Sequence, residues 1–110
     1  MPSTIIDPSV RVTTMINVFT VRRERQRDLV DLLTRATEEV IRHRPGFVSA
    51  SIHASADGER VVNYAQWTDV DSFRAMLKHP AAQEQMNAAN ELAESADPRL
   101  YVVKSTTRHA

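Results

Sequence analysis

The chain has no cysteine, only two glycines and a single tryptophan, and its 14 basic residues are matched by 14 acidic ones. The lack of cysteine excludes disulfides, thiolate metal sites and cysteine nucleophiles. With only Gly46 and Gly58 available, no glycine-rich loop can cradle a phosphate. A formal net charge of zero leaves no general field to attract nucleic acid or anionic lipid. The one basic run, Arg22, Arg23, Arg25 and Arg27, is interrupted by Glu24 and Asp28 and reads as a solvated helix start. His43, His53, His79 and His109 show no recognised metal spacing, and no nucleophilic serine motif occurs. No apolar stretch approaches the ~18 residues of a membrane span, and the first residues lack the basic-then-apolar layout of a leader. These absences predict a cytoplasmic protein with neither nucleic acid nor membrane as a partner.

A length of 110 residues suits one domain with a real core. Residues 1–10, with Pro2 and Pro8 and no periodicity, read as a flexible arm, leaving 11–107 as the domain. Arg11 to Val21 alternates as a strand, with Val12, Ile16 and Val18 on one face and Met15, Asn17 and Phe19 on the other. Leu29, Leu33, Ala36 and Val40 form the apolar stripe of a helix over 24–43, stopped by Pro45-Gly46. A second strand spans Phe47 to Ser55 and a third begins after Ala56-Asp57-Gly58. Thr68-Asp69-Val70-Asp71 resembles a capping box opening a short helix with Phe73, Met76 and Leu77. Pro80 starts another helix, whose apolar side is Met86, Ala89, Leu92 and Ala93. A last strand is expected from Leu100 to about Thr107. The order β-α-β-β-α-β is that of an α+β, ferredoxin-like fold. With both helices on one face of the sheet, Val12, Ile16, Val18, Val48, Ile52, Val62 and Tyr64 would lie bare on the other. A symmetric homodimer with sheets face to face would cover them.

The most informative segment is Val61-Val62-Asn63-Tyr64-Ala65-Gln66-Trp67. Alternation puts Val61, Asn63, Ala65 and Trp67 on one face, with Asn63 and Trp67 about 13 Å apart. An amide, a methyl and the sole tryptophan form a floor for a flat molecule with a hydrogen-bonding group at each end. The preceding turn decides what joins them. A three-residue loop with Gly58 left-handed sets His53 against Val61 and Ser51 against Asn63, so that Ser49, Ser51 and His53 share the floor. A two-residue loop puts His53 on the opposite face. With the first register, Asn17, Ser49, Ser51, His53 and Asn63 crowd a face that should be dry. Unpartnered burial would cost ~1–3 kcal/mol for each. A hydrated or ligand-filled cavity under the helices resolves this; a sheet incompletely covered by short helices is the alternative.

Pro45-Gly46-Phe47, His53-Ala54-Ser55-Ala56-Asp57-Gly58 and the Val61–Trp67 run together resemble the antibiotic biosynthesis monooxygenase family, specifically its cofactor-free anthrone monooxygenases. The likeness covers about residues 11–104. It implies a ferredoxin-like fold paired into a dimeric α+β barrel. The implied activity is oxidation of a phenolic polycyclic substrate, an anthrone or quinol, to a quinone by molecular oxygen, without metal or flavin, in aromatic polyketide biosynthesis. By this resemblance Asn63 and Trp67 polarise the substrate oxygen and His53 relays protons. Asn17, Ser49, Ser51, Ala65, Phe73 and Met86 would contact the small aromatic substrate. Two positions depart from the pattern: Phe73 stands where relatives carry a pocket tyrosine, and Met86 where they carry an arginine.

Three other readings share the fold. The haem-degrading branch needs an axial histidine where this chain has Met86, although Asn17 could match its strand asparagine. A polyketide cyclase would use the pocket without oxygen. A non-catalytic, stress-associated or ligand-binding dimer would need neither the tyrosine nor the arginine.

Overall fold

The structure, a computed structural model, describes residues 2–110. Four strands and three α-helices follow in the order β1 (Thr13–Thr20), α1 (Gln26–Glu39), β2 (Phe47–Ala54), β3 (Arg60–Trp67), α2 (Val70–Leu77), α3 (Pro80–Leu92) and β4 (Ser95–Tyr101). Single 3₁₀ turns at Arg23–Arg25 and Ile41–His43 flank α1. The sheet is antiparallel with strand order β2-β3-β1-β4, the ferredoxin-like arrangement, and the helices cover one face.

Each helix begins and ends where its residues dictate. Asp69 caps α2, accepting the Ser72 N–H at 2.7 Å, so the cap falls one residue later than a box starting at Thr68. Pro80 occupies the first turn of α3, where its missing N–H costs nothing. Gly46, at φ +84°, lets the chain turn from the end of α1 into β2. A Cβ there would collide with the Ser72 side chain and sit 2.8 Å from Thr68 Oγ1.

The β2–β3 turn corrects the expected register. Ser55 pairs with Arg60 through Ser55 N–H to Arg60 O at 3.0 Å, so the loop is the four residues 56–59. Asp57 Oδ1 organises it, accepting from the Glu59 N–H at 2.9 Å and the Ser55 hydroxyl at 2.7 Å. His53 therefore pairs with Val62, Ser51 with Tyr64 and Ser49 with Gln66. All three turn away from the helices, while Ala50 and Ile52 turn towards them. A β-bulge between Phe47 and Ser49 absorbs one residue and returns Phe47 to the side of Trp67.

The last strand also lies earlier than expected, at Ser95–Tyr101 rather than from Leu100 onward. Pairing starts directly after α3, where the Glu94 N–H donates to Thr20 O at 2.8 Å. Pro98 is accommodated because β4 is an edge strand. On the outer sheet face Ile16, Val18, Val62 and Tyr64 are half-buried. The segment read as a loose arm is tied to that face by side chains: Thr4 Oγ1 lies 2.8 Å from Ser49 Oγ, and Gln66, 2 % exposed, donates to Ile5 O at 2.9 Å.

Under the helices the core is split. Met15, Ala65, Trp67, Phe73, Met76 and Ala82 form one cluster; Phe19, Val21, Leu29, Val61 and Ala89 form the other. Along β1 the order is Met15, Asn17, Phe19, and along β3 it is Val61, Asn63, Ala65. Asn17 and Asn63 thus mark the seam between two apolar bodies.

Candidate active site

Asn17 and Asn63 are direct partners in the β1–β3 ladder, so their side chains stand side by side on the helix-facing surface. A cavity of about 630 Å³ opens above them. Its walls come from the sheet (Met15, Phe19, Leu100), from α1 and the turn after it (Leu33, Ile41), and from α2 and α3 (Phe73, Met76, Leu77, Met86, Ala89). This is an apolar container with a polar floor, the general composition of a small-molecule site.

The floor is unsatisfied. Both Asn17 Oδ1 and Asn63 Oδ1 are buried without a hydrogen-bond partner. Neither side chain bonds to any described residue, so the amide nitrogens are left to the cavity. Orphaned polar atoms of this kind cost about 1–3 kcal/mol each. Two paired amides are tolerable in a seam only if something else, solvent or ligand, meets them. A planar molecule laid over the seam would receive two N–H donors at one of its oxygens, an arrangement that stabilises negative charge there.

Trp67 lies one ring behind this space. It is 1 % exposed and packed edge-on between Phe47, with ring centroids 5.4 Å apart, and Phe73, at 6.0 Å. Its indole N–H has no partner. Phe73 rather than Trp67 forms the cavity wall. Ala65 is likewise buried in the core beside Trp67 and does not reach the cavity.

Of the residues read from sequence, the structure brings Asn17, Asn63, Phe73 and Met86 together around one space. Ser49, Ser51 and His53 lie on the opposite sheet face because of the four-residue turn, and His53 is exposed there. Ser49 instead bonds Gln66 Oε1 at 3.0 Å. Residues missed from sequence are Leu33, Ile41 and Leu77, whose spacing marks them only as core, and the rim of Asn90, Glu94 and Ser95. Asn90 follows Met86 by one helical turn, a signal that places both on one face of α3. The β4 contribution of Ala96, Pro98 and Leu100 was hidden by the misplaced strand.

The chain matches the family model described as antibiotic biosynthesis monooxygenase over residues 13–88. It is 55% identical over 78 residues to the tetracenomycin-F1 monooxygenase of Streptomyces glaucescens, covering 71% of this chain and 70% of that protein. Among solved structures it superposes with a TM-score of 0.80 on a monooxygenase of Streptomyces coelicolor crystallised with the ligand nanaomycin D. That protein is 30% identical, and the match covers 94% of this chain and 96% of the other. SnoaB, a cofactor-independent oxygenase from Streptomyces nogalater, here as a mutant, superposes with a TM-score of 0.80 at 25% identity. The match covers 91% of this chain and 100% of that one.

Proposed function

Because this chain belongs to the antibiotic biosynthesis monooxygenase family and is a monooxygenase, we propose that it oxidises a phenolic polycyclic substrate, an anthrone or quinol of polyketide type, to a quinone with molecular oxygen and no cofactor. The paired amides in the seam of an apolar cavity carry this reading. Deprotonating an electron-rich phenol or anthrone creates an anion able to give an electron to oxygen. The enzyme has then to favour that anion and hold it rigid. Hydrogen bonds to a charged oxygen contribute roughly 1.5–3 kcal/mol apiece. Asn63 and Asn17 supply two such donors, while Phe73, Met76, Leu77 and Met86 clasp the rings. Trp67 backs Phe73, and its free indole N–H is the donor met by any substrate group that reaches past that ring. Two relatives support a small-molecule substrate: one is named tetracenomycin-F1 monooxygenase, and the other was crystallised with the ligand nanaomycin D.

The test is oxygen uptake with a trihydroxyanthrone, with and without protein. Catalysed uptake that is insensitive to chelators supports the proposal; uptake no faster than the buffer rate refutes it. Product formation that continues without oxygen would instead indicate a cyclase. We also propose that the outer sheet face, with Ile16, Val18, Val62 and Tyr64 half-buried, pairs with a second copy to form a homodimeric α+β barrel. A stable monomer in sedimentation at micromolar concentration would refute that pairing.

A further inference from the structure

Oxidation of an anthrone begins with loss of a proton, and the cavity offers few places to put one. His53 lies on the other face of the sheet. Phe73 and Met86, which both line the cavity, bring neither an acid nor a base to it. Among the lining residues only Glu94 and Arg99 carry ionisable side chains. Arg99 stands in register with Ile16, on the opposite face from Pro98 and Leu100, and its guanidinium is 3.1 Å from Asp97 Oδ1. One carboxylate remains.

Resting on the proposed oxidation, we propose that Glu94 is the base that takes the substrate's proton and the acid that returns it to the peroxide. Glu94 is held at the cavity rim by its own backbone, which donates to Thr20 O, and its carboxylate lies 3.8 Å from Arg22 Nε. Thr20 is three residues from Asn17 along β1, about 10 Å at the rise of an extended strand. Glu94, a lining residue of the cavity, is thus set off along β1 from the amide floor. In an anthrone the oxygen and the reactive methylene are set apart in the same way, on opposite edges of the central ring. With the oxygen on Asn63 and Asn17, the methylene is directed to the rim.

The steps balance. Glu94 takes H⁺ from the methylene, and the electron pair of the broken C–H bond enters the ring system as an enolate whose oxygen the amides hold. The enolate transfers one electron to O₂, and the radical pair collapses into a C–O bond, leaving a peroxide anion. Protonated Glu94 gives its proton to that anion. The hydroperoxide then loses its remaining C–H hydrogen and breaks its O–O bond, releasing water and leaving the quinone carbonyl. Overall a CH₂ and O₂ become C=O and H₂O, the substrate being oxidised and one oxygen atom reduced to water. With its side chain 58% exposed, Glu94 can also exchange protons with solvent between turnovers.

The experiment compares wild type, Glu94→Gln and Glu94→Asp in oxygen uptake on a trihydroxyanthrone, with the methylene protonated or deuterated. Glu94→Gln should lower kcat/KM by roughly 100-fold and enlarge the deuterium effect, while its affinity for the quinone product matches wild type. Glu94→Asp should recover part of the rate. Added formate should accelerate Glu94→Gln and leave wild type unchanged. An active wild type with an equally active Glu94→Gln, or a slow variant that formate does not accelerate, overturns the role of Glu94 and leaves the oxidation standing. A wild type that does not accelerate oxygen uptake overturns both.

Discussion

Replacing Asn63 by leucine should make the protein more stable and nearly inactive at once. Asn63 lies between Val61 and Ala65, at the seam of the two apolar clusters, with its Oδ1 buried and unpartnered. Leucine removes an orphan acceptor that costs about 1–3 kcal/mol. It also adds apolar area joining the clusters, although the open cavity above limits the gain. A net stabilisation of about 2 kcal/mol follows, and for a chain of this size each kcal/mol raises Tm by about 4 °C, or about 8 °C in all. Losing one hydrogen bond to a charged oxygen, about 1.5–3 kcal/mol, should slow anthrone oxidation roughly 10- to 150-fold. Thermal unfolding followed by circular dichroism and an oxygen electrode measure the two effects on one preparation. A variant that melts below wild type, or one that keeps its rate, would refute the view that Asn63 is retained against stability for its chemistry.

Other substitutions probe the geometry more locally. His53→Ala should alter the rate per protomer less than twofold, because His53 is exposed on the face away from the cavity; a large loss in the oxygen-uptake assay would return it to the mechanism. Gly46→Ala should destabilise by about 2–4 kcal/mol in urea titration, since the new methyl group meets Ser72 and the positive φ adds strain. Acid should weaken the fold through Asp57 and Asp69, whose carboxyls the Glu59 and Ser72 N–H groups respectively hold below the ordinary 3.8. A carboxyl lowered on folding contributes stability that is complete above its unfolded value and is lost as pH falls through the folded one. Asp57→Asn should therefore flatten the decline in Tm on the acid side of pH 4; an unchanged acid slope would count against that carboxylate.

Much of the architecture is local in origin and was visible along the chain. The apolar stripe of Leu29, Leu33 and Ala36, Pro80 at a helix start and the alternation through Val61–Trp67 are each properties of a few neighbouring residues. They set element type and, within one strand, which residues share a face. For that reason Asn17 shares a face with Met15 and Phe19, and Asn63 with Val61 and Trp67, whichever strand pairs beside them. Phe73 and Met86 followed from the family pattern, and both line the cavity.

Pairing between strands was decided elsewhere. Side chains alternate with a period of two, so one residue more in the turn moves every side chain of β2 to the other face. The Asp57–Glu59 and Ser55–Arg60 bonds select the four-residue turn, carrying His53, Ser51 and Ser49 out of the site. The bulge beside Val48 then returns Phe47, a compensation no pattern in the sequence announces. Glu94 reached the rim through a backbone bond to Thr20, 74 residues earlier. Residue types and faces within a strand came from the sequence, because alternation is a property of one strand. Which faces meet, and which residues line the cavity beside the amides, came from tertiary structure, because register and cavity walls depend on partners distant along the chain.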